Sequence, residues 1–158
     1  MTDREKTTKK ERYKVKTFPV PFNLLDIKEI HTHTTDNLLS LSKEQIINKA
    51  FIFHSEGKIL KAKKYYQHFL DMGFTDHRVF SNYIVLCKKN NQIEQAIELC
   101  HFSINIFPKI IDFKTKLATL YIDKNKLKEA KKICDNIIDS NPSLYLSYFI
   151  LSSIFIKE

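Results

Sequence analysis

Gly57-Lys58-Ile59-Leu60-Lys61-Ala62, Asn91-Gln92-Ile93-Glu94-Gln95-Ala96 and Asn125-Lys126-Leu127-Lys128-Glu129-Ala130 are three versions of one phrase. Each opens on Gly or Asn, the residue types that tolerate a left-handed backbone, and each closes on Ala. The Ala residues stand 34 positions apart, and the Gly/Asn and Ile/Leu slots keep the same period. Three registers that agree on one spacing describe a repeated supersecondary unit. The units run from Lys43 to Asp76, from His77 to Ile110 and from Ile111 to Leu144, without insertion, and a fourth begins at Tyr145 and stops after 14 residues.

Within each unit apolar residues recur at i, i+3 and i+4, the spacing of one face of a helix, on both sides of the Gly/Asn slot. A pair of antiparallel helices per unit is therefore expected. Ser42 ahead of Lys43-Glu44-Gln45 reads as a capping box that starts the first helix, and Pro108 and Pro142 close second helices before the next unit begins.

Composition agrees with this and excludes other classes. Two glycines in 158 residues are too few for the turns of an all-β fold or for Gly-rich phosphate-binding loops. The net charge is +8, yet all but Arg4, Arg12 and Arg78 of the basic residues are Lys, whereas nucleic-acid readers favour the planar fork of Arg. No stretch is apolar enough to span a bilayer, so no membrane role and a cytoplasmic location are expected. Cys87, Cys100 and Cys134 are odd in number and lack metal spacing, which suits reduced, buried thiols. His31 and His33 form an HxH pair without Cys or acidic companions, and neither a metal nor another cofactor is expected. Residues 1–42 are polar and basic, broken by Phe18-Pro19-Val20-Pro21-Phe22, and read as a largely disordered or loosely docked arm.

The slots of the second unit, Phe80, Tyr83, Ile84, Cys87, Ala96, Cys100, Ser103 and Pro108, resemble the consensus of the tetratricopeptide repeat (TPR). The third unit places Lys114, Leu117, Ala118, Tyr121, Ala130, Cys134, Ile137 and Pro142 in the same slots. The first departs at Lys49, Phe69 and Phe74. The resemblance implies an all-α, right-handed superhelix of three repeats, 43–76, 77–110 and 111–144, plus one C-terminal helix, 145–158. Segments Ser42 to Ile47 and Asp76 to Tyr83 are also similar to the opening repeat of picocyanobacterial TPR proteins, in which the repeats sometimes precede a transferase.

The resemblance further implies a concave groove lined by repeat positions 2, 5, 9 and 12 of the first helices. These are Glu44, Ile47, Phe51 and His54, then Arg78, Ser81, Val85 and Lys88, then Asp112, Thr115, Thr119 and Ile122. An apolar first unit beside a cationic second would suit a protein or peptide partner with acidic and apolar groups. The carboxylate clamp of some TPR grooves is not expected: Asn82 and Lys116 fit its slots, but Ile47 and Phe51 replace a Lys and an Asn, and Asp112 sits where a Lys belongs. The expected function is a non-catalytic interaction scaffold or adaptor. The alternative is the substrate-presenting N-terminal fragment of a longer TPR-transferase enzyme.

Two other surfaces merit expectation. The clusters Lys58-Lys61-Lys63-Lys64 and Lys124-Lys126-Lys128-Lys131-Lys132 could form a basic edge that meets phosphates, although nucleic acid is the weaker partner reading. In the last helix, Tyr148, Leu151, Ser152 and Phe155 should pack back on the third unit. Phe149, Ile150, Ile154 and Ile156 would then be exposed and drive homodimerisation through that helix.

Overall fold

Ser42 starts the first helix as its sequence requires. In the computed structural model of the chain, which describes residues 38–157, its hydroxyl accepts from the Gln45 N–H at 3.3 Å while the Gln45 side chain takes the Ser42 N–H at 2.8 Å. Seven α-helices follow in order: α1 (Lys43–Ser55), α2 (Ile59–Asp71), α3 (His77–Lys89), α4 (Ile93–Ile106), α5 (Ile111–Asp123), α6 (Leu127–Ser140) and α7 (Tyr145–Lys157). Among the described residues there is no strand.

The turn between the helices of each unit is set by backbone chirality. Gly57, Asn91 and Asn125 have φ of 69°, 57° and 57°, a region that costs most side chains roughly 1–2 kcal/mol and that Gly and Asn enter most readily. The second helices α4 and α6 end at Ile106 and Ser140, two residues before Pro108 and Pro142. Asp76 caps α3, its carboxylate accepting from the Arg78 N–H at 2.9 Å.

Pairs α1/α2, α3/α4 and α5/α6 pack within their units, and each pair packs on the next. Ala62, Ala96 and Ala130 are completely buried where the paired helices cross, because a larger side chain would separate axes that pack 8–10 Å apart. Aromatic residues fill the wider spaces. Phe80 of α3 meets Phe102 of α4 and Phe107 beyond it at ring-centroid distances of 5.6 and 5.9 Å, and Phe107 also stacks on Phe113 of the next unit at 6.0 Å. Cys87, Cys100 and Cys134 are free and buried. Burial pushes their thiols up to about 12, 12 and 11, so they remain neutral and act as small core residues.

Most of the expected arm, together with His31 and His33, lies outside the described residues. Its last residues, 38–42, are structured: Leu38–Ser40 form a 3-10 turn, Leu38 and Leu41 pack on the core, and the Leu38 carbonyl lies 3.0 Å from His68 Nε2.

The last helix corrects the expected orientation. Ile150 and Ile154 are buried against Ala118, Ile122, Ala130 and Cys134, whereas Tyr148 and Phe155 are exposed; Leu151 packs on the same cluster and Phe149 and Ile156 are open, as expected. The reason lies in what each slot faces. In α3 the slots of Phe80 and Tyr83 face α4 of the same unit, Phe80 packing on Phe102 and Tyr83 bonding Gln95. Among the described residues α7 has no such second helix. It docks instead on α5 and α6 through Ser147, Ile150 and Ile154. Two of these are the slots buried as Val79 and Leu86 in α3 and as Phe113 and Leu120 in α5.

Candidate functional site

The first helices lie side by side, α1 against α3 and α5 against α7. Between α3 and α5 two polar links close the row: Ser81 Oγ donates to Asp112 Oδ2 at 3.2 Å and Lys88 pairs with Asp123 at 2.8 Å. The expected groove residues therefore belong to one surface, but they do not contribute equally. Ile47 and Thr115 are buried and underlie the groove instead of lining it, because each packs inward between neighbouring helices. Phe51, His54, Ser81, Val85 and Thr119 are half-buried, and Arg78, Lys88 and Asp112 are exposed.

The charges of the second and third units are largely satisfied within the chain. Arg78 forks onto Asp76, with Nε 3.0 Å from Oδ1 and a terminal nitrogen 2.7 Å from Oδ2. That hydrogen bonding holds the Asp76 carboxyl below its ordinary range. Lys116 bonds both oxygens of Asp112, at 2.6 and 2.5 Å. Lys116 and Asp112 thus neutralise each other at the slots where a carboxylate clamp would need free cations, and Asn82 Nδ2 is spent on the Arg78 carbonyl at 2.9 Å.

What remains open is a cleft of about 470 Å³ lined by Phe51, His54 and Ser55 of α1, Tyr66 of α2, and Asn82 and Lys89 of α3. Its wall is aromatic and fixed. The Tyr66 ring lies 6.3 Å from Phe51 and stacks on Tyr83 at 5.2 Å, while its hydroxyl is 2.9 Å from His54 Nδ1. Burial and then the nearby Lys89 charge lower the His54 pKa, so the imidazole is neutral at pH 7. Lys89 is exposed and forms no ion pair among the described residues. The repeat slots pointed to Phe51 and His54. They missed Lys89, one residue beyond the groove slot of Lys88, and Tyr66, a fully buried core residue that backs the cleft and holds His54 through its hydroxyl.

A larger cleft, about 630 Å³, opens between α4, α5 and α6 over Ile104, Leu117 and Ile133, among Lys128, Lys131 and Lys132. It exists because Lys114 and Asn136, 3.5 Å apart, occupy the slots that Phe80 and Phe102 fill in the preceding unit. Its lysines are offset by Asp135 and Asp139 in the same wall, so it offers less unopposed charge than its size suggests. Elsewhere the lysines of the basic edge are exposed but engaged within the chain: Lys61 lies over the Phe53 ring at 5.4 Å, Lys126 over Tyr121 at 5.8 Å, and Lys124 pairs with Glu94. Among the described residues no three His, Cys, Asp or Glu side chains converge as metal ligands, and no helix is long and apolar enough to cross a membrane.

The fold has known counterparts. The TPR domain of Arabidopsis OM64 superposes with a TM-score of 0.64 over 77% of this chain and 99% of that domain, at 14% identity. The second TPR domain of human RPAP3, solved in complex with the HSP70 peptide SGPTIEEVD, gives 0.61 over 69% of this chain and 91% of that domain, at 20% identity. The chain therefore has the TPR fold. No protein-family profile matches the sequence. Among curated proteins, YgeG of Escherichia coli (strain K12), described as uncharacterized, is 29% identical over 65 residues, and this match spans 41% of the chain and 40% of YgeG.

Proposed function

We propose that this chain is a non-catalytic adaptor that holds a peptide segment of a partner protein in the cleft between α1 and α3. The observation that carries the reading is the cleft's composition: the half-buried Phe51 ring beside the Lys89 ammonium, which has no ion-pair partner among the described residues. An apolar side chain would lie on the Phe51 ring while a neighbouring carboxylate meets Lys89, so the ligand class is a peptide with an acidic group adjacent to an apolar one. The RPAP3 domain was solved with a peptide that is likewise acidic toward its end, which supports the class without assigning the partner. The cations that looked most available in the sequence, Arg78 and Lys88, would have to leave Asp76 and Asp123 first.

The test is fluorescence polarisation with a labelled peptide library that varies acidic and aromatic positions independently. Selected peptides should contain both features, and Lys89→Ala and Phe51→Ala should each weaken binding roughly tenfold or more. If both variants bind as wild type while changes at Lys128, Lys131 and Lys132 abolish binding, the cleft is not the site and the basic edge is.

A further inference from the structure

The helix least explained by peptide binding is α7, because it is apolar on both sides. From Tyr145 to Ile156 it contains no charged residue. At about 100° per residue, Ser147, Ile150 and Ile154 share the face turned to α5 and α6. Phe155, Tyr148, Ser152, Tyr145, Ile156 and Phe149 follow one another round the opposite face. That outer face is open: Tyr145 and Ile156 are 86% and 85% exposed, Phe149 69% and Phe155 59%. A helix that is hydrophobic all round is ordinarily buried all round.

We infer that the outer face of α7 is a self-complementary docking surface for a second copy of this chain. Area is the first argument. At roughly 200 Å² for a large residue fully open, the exposed parts of Tyr145, Tyr148, Phe149, Phe155 and Ile156 present on the order of 700 Å² per copy. That is about the share each partner contributes to a stable interface.

The second argument is symmetry. Ser152 sits in the middle of the stripe, three and four residues after Phe149 and Tyr148 and three and four before Phe155 and Ile156. A two-fold axis through Ser152, with the two helices antiparallel, lays Tyr148 and Phe149 of one copy on Phe155 and Ile156 of the other. The small residue at the crossing lets the axes approach closely. Charge stays at the rim, where Lys131 already lies 5.3 Å from the Phe155 ring centre. The surface is separate from the α1/α3 cleft, so dimerisation and peptide binding fail independently.

Sedimentation equilibrium of the full chain at tens of micromolar should show a dimer. Phe149→Lys combined with Phe155→Lys, both at exposed positions and so compatible with folding, should weaken it at least a hundredfold, about tenfold for each buried ring lost. Ser152→Arg, which props the crossing apart, should also give monomer with an unchanged helical circular dichroism spectrum. Leu60→Lys, at an exposed apolar residue of α2, should leave the dimer intact. A monomeric wild type overturns the inference, as does an undefined series of aggregates or a dimer that survives all the α7 variants. A wild type that stays monomeric yet binds an added amphipathic helix through Phe149 and Phe155 overturns it too, and assigns the face to a heterologous helix.

Discussion

Ala96→Leu tests the repeat register at its most constrained point. Ala96 has no exposed surface and sits at the α3/α4 crossing of the central unit. The substitution adds three carbons. With room to spare, burying them would stabilise by about 2 kcal/mol at roughly 0.8 kcal/mol per methylene. At a close helix crossing there is none, and the extra volume forces unfavourable rotamers or parts the helices, at a cost of about 1–3 kcal/mol. The sign of the measured change therefore reports whether Ala96 lies at a crossing. For a folded region of this size the cost is a fall in Tm of roughly 4–12 °C. Because the central unit stacks on a neighbour at each side, parting α3 from α4 should also loosen both interfaces, which lowers the urea m-value as cooperativity breaks down. Thermal and urea unfolding followed at 222 nm would measure both. Glu98→Leu, at an exposed position of the same helix, is the control and should change stability by no more than about 0.5 kcal/mol. If Ala96→Leu melts with wild type or above it, the crossing assignment and the register built on it are wrong.

Two further outcomes follow from single side chains. Asp76→Ala removes the α3 N-cap and should cost about 1 kcal/mol at pH 7. Because the folded Asp76 value is depressed by its hydrogen bonding with Arg78, that stability is present above the ordinary carboxylate range and is lost as pH falls through the folded value, so wild type and variant should converge in acid unfolding below about pH 4. Ser147 is fully buried on α7 and its hydroxyl has no hydrogen-bond partner among the described residues. Ser147→Ala should therefore leave Tm unchanged or raise it, and a clear fall would mean that the hydroxyl is satisfied.

The parts of the fold that were legible in the sequence are those fixed by local chemistry repeated three times. The left-handed turns at Gly57, Asn91 and Asn125, the buried Ala62, Ala96 and Ala130, and the Ser42 capping box each depend on residues within a few positions, and repetition separates them from chance. The groove was legible as a set of slots but not as a surface. Lys88 and Asp123 are 35 positions apart and meet only because α3 and α5 pack side by side, so the cationic character expected of the second unit is largely neutralised in a way no single repeat reveals. Lys89 emerges as the available charge for the same reason: its neighbour Lys88 has a partner, and among the described residues it has none.

The misreading of α7 has a more general cause. A repeat slot encodes a side chain's direction relative to its own helix, and the neighbour in that direction is supplied by the array. Phe80, Tyr83 and Cys87 are buried because α4 stands opposite them; Tyr148, Leu151 and Phe155 occupy the corresponding slots of α7 with no α4 equivalent among the described residues. Reading inside slots off an internal unit therefore counts a neighbour that the described residues do not supply to α7: the face toward α5 and α6, with Ile150 and Ile154, stays inside as in α3 and α5, while Tyr148 and Phe155 are left open. The aromatic character retained at the open slots of Tyr148 and Phe155 is the informative feature. An exposed slot filled only for solvation would carry Lys, Glu or Asn, as Lys128, Glu129 and Asn136 of α6 do, whereas large apolar side chains there cost solubility and are recovered only when another surface covers them.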